Sequence, residues 1–328
     1  MPKTCSESSA PLRRLQLHGP TMGTRWAVSC DVPARFDANE LRRGLAQVVE
    51  QVDTQMSPWK PGSALNRLNR APAGSWLTLP AELMEVLARA LDVCRQSEGA
   101  FDPAVGALVD AWGFGAARAA PDAEAIRIAC STARPPTHQA LELDPTTGCA
   151  RKHAALQLDL CGIAKGYAVD GMCAVLEQRG VRHALVALDG ELRAIGTQAS
   201  GTPWAVALES PRADMRAAQG VIELQDLAVA TSGDYRHFVQ VGQASLAHSM
   251  DGRSGRPVNN GVASVTVLAP RCMDADAWAT ALLVAGPGQG LALAHRHGLE
   301  ALWLLRRGQA LVELGSGRFA AAAPVGTA

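Results

Sequence analysis

The sequence shows no excess of either charge and has few aromatic residues. It contains 31 basic and 31 acidic side chains, so its formal net charge is +0, and Phe, Trp and Tyr make up only 4% of its 328 residues. Proteins that bind nucleic acids or anionic membranes usually carry a basic excess. The charge balance therefore predicts neither kind of partner.

Long apolar runs are missing as well. No segment approaches the roughly 18 consecutive apolar residues of a membrane span, and the first residues lack the apolar core of a secretory signal. We therefore expect no membrane span, a cytoplasmic location and a disordered leader over residues 1–18. Residues 19–319 are predicted to form one unit, or two interleaved subdomains, around a large core, followed by a loose tail over residues 320–328. No amphipathic surface is left over, which favours a monomer.

The short motifs of the commonest enzyme classes are also absent. There is no GxSxG elbow, no GxxxxGK(S/T) phosphate loop, no GxGxxG fingerprint and no HExxH pair. The eight cysteines form no CxxC pair, and none has a histidine at metal-ligand spacing. This pattern disfavours the usual hydrolase, NTPase, dehydrogenase and zinc-protease interpretations and indicates reduced thiols.

Hydrophobic periodicity predicts both helices and strands. Apolar stripes at helical spacing predict helices over residues 37–56, 80–97, 165–179, 274–285 and 288–297. Alternation or short apolar runs predict strands over residues 24–30, 156–160, 183–188, 204–208, 220–224, 227–231, 235–240, 244–248, 263–268, 301–305 and 310–314. Because helices and strands mix without strict βα alternation, the predicted class is α+β, with mixed sheets flanked by helices.

One stretch, residues 156–180, combines a predicted strand, a glycine-containing loop and a lysine at a helix start. Lys165 opens the helix, and Gly180 ends it. A helix N-terminus presents free N–H groups and a positive dipole end, and a lysine adds a mobile charge, so this arrangement suits a phosphate. The alternative is an ordinary strand-loop-helix corner with a solvated lysine, and the spacing does not decide between them.

A second candidate is the pair Asp276 and Thr280, four residues apart. On a helix this spacing places the carboxylate and the hydroxyl on one face. Mg²⁺ takes few protein oxygens and keeps several waters, so a carboxylate, a hydroxyl and a backbone carbonyl would suit it. The alternative, in which Asp276 supports the helix N-terminus and Thr280 packs, is favoured when the motif is taken alone.

The third candidate is the polar turn 231–235 together with His248. Small hydroxyl residues and a glycine after a strand form a tight turn that can approach a flat ligand. A histidine beside a glycine-rich turn can act as a general base near neutral pH. Taken alone, His248 is better explained as a surface histidine near a turn.

In their order along the chain, these motifs resemble the FAD:protein FMN transferase (ApbE-like) family. The resemblance runs from about residue 19 to about residue 314. It is carried by Met22-Gly23-Thr24, residues 57–66, 99–103, 112–115 and 158–170, the Asp189-Gly190-Glu191 turn, and residues 231–235, 248–257 and 276–286.

The resemblance implies an ApbE-like fold and a transferase that binds FAD and Mg²⁺. Such an enzyme attaches FMN to a Thr or Ser hydroxyl of an acceptor flavoprotein and releases AMP. It implies a metal site at Asp276, Thr280 and the backbone carbonyl of Ala164, with His248 as the base that deprotonates the acceptor. The positions implied to contact or frame FAD are Met22, Trp59, Lys165, Asp170, Gly190, Glu191, Ser232, Gly233 and Asp234.

Three positions depart from the family pattern. Cys161 stands where the family usually has glycine, Asp189 replaces the first glycine of a Gly-Gly-Glu turn, and Gly252 replaces a proline. The exported, lipid-anchored N-terminus common in the family is missing, so the compartment and the acceptor stay open. Two other functions remain open at this point: a Mg²⁺-dependent FAD pyrophosphatase, in which water replaces the hydroxyl, and a flavin carrier without turnover.

Overall fold

The computed structural model describes residues 11–117, 120–131, 135–211, 217–234, 238–241, 244–308 and 310–320. The strands in chain order are β1 (Leu12–Thr21), β2 (Thr24–Pro33), β3 (Trp76–Thr78), β4 (Leu141–Asp144), β5 (Cys149–Lys152), β6 (Ala184–Leu188), β7 (Glu191–Ile195), β8 (Trp204–Glu209), β9 (Ala218–Leu224), β10 (Ala228–Gly233), β11 (Phe238–Val241), β12 (Ala244–Ala247), β13 (Met250–Asp251), β14 (Arg256–Pro257), β15 (Val262–Ala269), β16 (Glu300–Arg307) and β17 (Ala310–Ser316). The α-helices are α1 (Ala38–Met56), α2 (Ala64–Arg70), α3 (Ala81–Gln96), α4 (Gly106–Ala111), α5 (Ala123–Ser131), α6 (Thr137–Ala140), α7 (Ala164–Gln178) and α8 (Cys272–His297), and a short 3-10 helix covers Gly317–Phe319.

A large antiparallel sheet forms the centre of the described structure. Its eight strands lie in the order β1-β2-β6-β7-β10-β15-β16-β17. Smaller sheets pair β3, β5 and β4, then β8 with β9, β11 with β12, and β13 with β14. Mixed helices and antiparallel sheets of this kind confirm the predicted α+β class.

Both faces of the central sheet are covered. On one face α8 packs on β10 and β15, and α7 packs between α8 and α1. On the other, the β8–β9 hairpin places Trp204 and Leu224 against Val229 and Leu268. All eight residues of β15 are consequently buried, which explains why this strand reads as a continuous apolar run.

The long helix α8 bends at Gly286, where the backbone is not helical (φ 73°, ψ 178°). Pro287 follows and has no N–H, so it leaves the carbonyl of Leu283 without its helical donor. The side-chain amide of Asn260 donates to that carbonyl at 2.9 Å. The prediction of two helical segments, over residues 274–285 and 288–297, is therefore confirmed: they meet at the non-helical Gly286, and Asn260 from a neighbouring loop fills the break between them.

α8 is also the helix, among those described, that is long and apolar enough to cross a membrane. Most of its apolar window is buried inside the protein, and it lies at the centre of the main core. A core helix passes the same test of length and composition, so this feature is weak evidence for a span.

The prediction for the start of the chain is corrected. The predicted disordered leader reached residue 18, but β1 already begins at Leu12 and pairs along its full length with β2. Two adjacent arginines hide the alternation that buries Leu17. Residues 1–10, the predicted tail beyond Ala320 and part of the predicted 235–248 hairpin lie outside the described residues.

The predicted strand over residues 156–160 is also corrected. Its leucines are buried and its polar residues face outward, as the alternation indicated, yet the segment joins none of the described sheets. Its backbone groups bond instead to loops and side chains. Alternating burial thus reports an extended segment against the core but does not show where its backbone partners lie.

Candidate active site at the start of helices α7 and α8

The start of α7 touches the second turn of α8 through Gly166 and Asp276. The N–H of Gly166 donates to Oδ2 of Asp276 at 3.0 Å. A Cβ at position 166 would lie 2.4 Å from the carbonyl oxygen of Cys272, so only glycine permits this approach. The Asp276 side chain, with 3% of the residue exposed, is therefore fixed beside the loop that precedes Lys165.

The Lys165 side chain reaches across to the β6–β7 turn. Its Nζ lies 2.8 Å from Oε1 of Glu191 and 3.5 Å from Oδ2 of Asp189. The second oxygen of Glu191, Oε2, is buried without a hydrogen-bond partner. One lysine thus faces a group of carboxylates that it cannot neutralise alone, and a buried acceptor there lacks a donor.

The hydroxyl groups of Ser232 and Thr280 complete this cluster. Ser232 Oγ and Thr280 Oγ1 lie 3.1 Å apart, which joins the end of β10 to α8. A Cβ at Gly162 would lie 2.8 Å from Thr280 Oγ1. The loop before α7 therefore rests directly on the Thr280 hydroxyl and requires glycine at that point.

Burial dominates the electrostatics of the cluster. It raises the pKa of Glu191 to about 8 and the pKa of Asp276 to about 6, in each case against the opposing effect of Lys165. Burial would lower the pKa of Lys165, but Glu191 and Asp276 outweigh it and raise that pKa. A site of this kind favours an added cation, since a cation would relieve the repulsion between the carboxylates.

The β6–β7 turn consists of Asp189 and Gly190, because Leu188 pairs with Glu191. Asp189 has a φ of 56°, a left-handed conformation that glycine adopts freely and that Asp tolerates better than most residues. This conformation gives a physical reason why a glycine at this position would suit the turn. Glu191, which follows the turn, is only 2% exposed and contacts Lys165.

Asp170 lies in α7 and contacts the first residues of α8. Its two oxygens accept from the N–H groups of Cys272 and Met273 at 3.0 and 2.9 Å. It also pairs with Arg193 at 2.7 Å. Asp170, in α7, therefore caps the start of α8, because the N-cap residue Arg271 makes no side-chain capping hydrogen bond. It therefore links α7 to the helix that carries Asp276 and Thr280.

The polar turn after β10 is likewise held from outside the cluster. Asp234 accepts from Arg306 Nη2 at 2.7 Å, and its N–H donates to the carbonyl of Ala263. Gly233 ends β10 next to Ser232. The structure thus joins Ser232 to the Thr280 hydroxyl, while Asp234 anchors the turn to β16.

Three sequence candidates are placed by other contacts. Met22 lies in the two-residue β1–β2 turn with a φ of 46° and packs partly on the core. Trp59 is 61% exposed in the loop after α1. His248 lies edge-on to Phe114, with ring centroids 6.4 Å apart. Met22 thus lies on the core, Trp59 is exposed to solvent, and His248 lies beside an aromatic ring.

The donor set fits a magnesium ion. Among the described residues, no three His, Cys, Asp or Glu side chains form a metal-binding group. Mg²⁺ does not need such a cage, since it commonly takes one or two carboxylates and completes its shell with water and substrate phosphate. Asp276 and Thr280 offer a carboxylate and a hydroxyl, and Ala164, with its backbone carbonyl, opens α7 beside them. Within the described structure, Oδ1 of Asp276 accepts no hydrogen bond.

Two residues that hold the site were not singled out from the sequence. Asn69, in α2, bonds both backbone groups of Leu158, and Arg193 pairs with Asp170. Neither residue lies in a motif, because each acts through a partner distant in sequence. A polar residue at the end of a short helix gave no signal by itself.

Comparisons with known proteins agree with this geometry. The ApbE family model matches residues 22–303. A curated FAD:protein FMN transferase of Vibrio cholerae is 34% identical over 311 residues, which cover 94% of this chain and 92% of the relative.

Solved structures are similar over the same extent. The flavin transferase ApbE from Vibrio cholerae superposes with a TM-score of 0.83 at 33% identity, covering 94% of this chain and 99% of the other. The apo form of the Pseudomonas stutzeri flavinyl transferase ApbE gives a TM-score of 0.83 at 36% identity, covering 94% and 96%. The described fold therefore extends over nearly the whole of these proteins.

Proposed function

The chain belongs to the ApbE family and is an FAD:protein FMN transferase, and we propose that it uses Mg²⁺ to attach FMN to a Thr or Ser hydroxyl of an acceptor flavoprotein. One contact carries the proposal: the hydrogen bond from Gly166 N to Asp276 Oδ2 at 3.0 Å. It brings the carboxylate and hydroxyl of α8 next to the lysine that opens α7. Together these groups meet the needs of a pyrophosphate substrate.

In the proposed reaction, the acceptor oxygen attacks the phosphorus on the FMN side of FAD. A new P–O bond forms, the bond to the bridging oxygen breaks, and AMP leaves with that oxygen. His248 takes the hydroxyl proton as general base. Lys165 binds the pyrophosphate and stabilises the negative charge that develops on the leaving AMP.

Asp276, Thr280 and the backbone carbonyl of Ala164 would hold the Mg²⁺, with Ser232 supporting Thr280 at 3.1 Å. When bound, the ion would neutralise the pyrophosphate and polarise its phosphoryl oxygens. Glu191 orients Lys165 at 2.8 Å. Asp170 orients Asp276 by fixing the start of α8.

The deciding experiment incubates the protein with FAD, Mg²⁺ and a peptide that contains a candidate acceptor Thr. A peptide that gains the mass of one FMN, together with released AMP, supports the proposal. FMN and AMP without an adduct would point to hydrolysis by water. Intact FAD with and without the peptide would contradict transfer and leave binding alone.

A further inference from the structure

The loop that carries the site is preceded by an extended segment that joins no described sheet. Its backbone groups are paired one at a time: Gly106 N donates to Gln157 O at 3.0 Å, and Asp159 N donates to Pro103 O at 2.8 Å. The segment therefore depends on individual contacts, and its position is only as fixed as those contacts are.

Asn69 makes the most complete of these contacts. Its Nδ2 donates to Leu158 O at 2.9 Å, and its Oδ1 accepts from Leu158 N at 2.7 Å. Both backbone groups of one residue are thus satisfied by one side chain, which is the pairing that a neighbouring β-strand would supply. At the centre of the segment, the Asn69 side chain therefore makes the two backbone hydrogen bonds that a paired strand would make.

Lys152 ties the same two pieces together. It is 3% exposed, and its Nζ donates to the backbone carbonyls of Asn69 at 2.6 Å and Leu156 at 3.3 Å. The end of α2 and the start of the segment are thereby joined by one ammonium group. The backbone carbonyl of Asn69 is consequently bonded to Lys152, while its side-chain amide is bonded to Leu158.

Leu158, which Asn69 holds, is only a few residues from the loop that forms the site. Leu160 O accepts from Ile163 N at 3.1 Å and from Ala164 N at 2.9 Å, which closes the loop into the first turn of α7. Gly162, inside that loop, rests on the Thr280 hydroxyl. Because Leu158 is only two residues from Leu160, which closes this loop, a displacement of Leu158 would change the positions of the Ala164 carbonyl and Lys165 relative to Asp276 and Thr280.

We propose that Asn69 is a positioning residue that sets the distance between the loop 161–164 and α8. The proposal rests on the proposed function, since that distance matters because the loop and α8 share the Mg²⁺ and the pyrophosphate. Residues that orient metal ligands from a distance typically change metal affinity or activity by about 10- to 100-fold when removed.

The test compares Asn69→Ala with the matched control Ser316→Ala. The Ser316 hydroxyl also bridges two backbone groups: it donates to Leu299 O and accepts from Ala301 N. That bridge lies at the far edge of the sheet. We expect Asn69→Ala to raise the Mg²⁺ concentration for half-maximal FAD binding by about 10-fold or more, and to speed hydrogen exchange at residues 160–164. Both variants should lose thermal stability, but Ser316→Ala should change neither the Mg²⁺ dependence nor the exchange at residues 160–164.

Asn69→Asp provides a second, milder variant in case the alanine variant does not fold. It keeps an acceptor for Leu158 N and loses the donor to Leu158 O, so it should shift the Mg²⁺ dependence in the same direction. If folded Asn69 variants lose stability but keep the wild-type Mg²⁺ dependence and exchange at 160–164, the proposal is wrong. An equal effect of Ser316→Ala on either quantity would also overturn it. FAD binding and exchange need no turnover, so a wild-type protein without transferase activity would contradict the proposed function alone.

Discussion

The backbone N–H of Gly166 and Oδ2 of Asp276 are hydrogen-bonded at 3.0 Å although the two residues are 110 positions apart in the chain. The bond occupies one oxygen of the carboxylate and fixes its plane. The other oxygen has no donor among the described residues. A carboxylate held in this way is pre-oriented for a cation, because only the free oxygen has to find its ligand.

Replacing Asp276 with alanine should abolish most of the transfer activity and leave the fold intact. Loss of one such electrostatic partner costs about 2.7–4 kcal/mol of transition-state stabilisation, or roughly 10²- to 10³-fold in rate. The measurement is FMN transfer to a Thr peptide at saturating FAD, with circular dichroism as the check on folding. The control is Asp274→Ala, since Asp274 lies on the same helix but pairs with Arg89 and Arg271. A folded Asp276→Ala enzyme working at the wild-type rate with Mg²⁺ would show that the metal site is assigned to the wrong residue.

The raised pKa of Asp276 predicts how the metal-free protein responds to pH. Its pKa is about 6 in the fold against the ordinary value of 3.8. The folded state therefore keeps a proton that the unfolded chain has lost, and this contribution to stability disappears as pH rises from about 4 to about 6. Asp276→Asn has no carboxylate to ionise and lacks this effect. In EDTA, the free energy of unfolding of the variant minus that of the wild type should therefore increase over that pH range, by at most about 3 kcal/mol.

Urea unfolding at pH 4 and pH 7 measures this difference. Adding Mg²⁺ at pH 7 should reduce it, because the ion stabilises the ionised carboxylate of the wild type only. A difference between the two proteins that stays constant from pH 4 to pH 7 would contradict the assigned environment of Asp276.

The helices and strands that were predicted well are those whose signals lie within their own stretch of sequence, as hydrophobic periodicity or a local cap. The apolar stripe of α1 and the capping carboxylate of Asp37, which accepts from the N–H groups of Asn39 and Glu40, are local features. The alternation of β6 is equally local. Such patterns depend on which face is buried and need no knowledge of the neighbouring element.

The residues that hold the site could not be predicted in the same way. Asp170 was expected at the FAD site on the resemblance alone, and no local pattern indicated that its carboxylate caps α8. Leu158 was expected in a strand, yet its partner is the side chain of Asn69. In both cases the decisive bond joins segments about 100 or 90 residues apart, and no local pattern records which distant group fills an open backbone donor.

Removal of the Asp170 carboxylate should destabilise the fold by loosening the start of α8. Loss of a helix cap costs about 0.5–2 kcal/mol, and here it also leaves Arg193 without the carboxylate with which it pairs. Asp170→Ala should therefore fall at the upper end of that range. Asp170→Asn keeps an acceptor for one N–H and should lose less.

Urea unfolding of both Asp170 variants, with Mg²⁺-dependent FAD binding alongside, separates this role from direct contact. If Asp170 acts through α8, the order of stability is wild type, Asn variant, Ala variant, and FAD binding weakens in the same order. FAD binding lost without any change in unfolding would indicate that Asp170 touches the flavin directly.

The departure at Asp189 predicts a gain of function. Asp189 places a second carboxylate 3.5 Å from Lys165, where it competes with a pyrophosphate for that ammonium group. Its φ of 56° is a conformation that glycine adopts without strain. Asp189→Gly should therefore bind FAD more tightly, by about 1 kcal/mol or roughly fivefold, because one repelling charge near the pyrophosphate is removed.

Asp189→Asn keeps the side-chain volume and also tolerates this φ, so it should give the same gain in FAD affinity if the charge is the cause. Titration of intrinsic flavin fluorescence at low and high salt measures both effects, and the gain should shrink at high salt because exposed charges are screened. FAD affinity that falls in both variants would mean that Asp189 helps to bind the substrate and does not repel it.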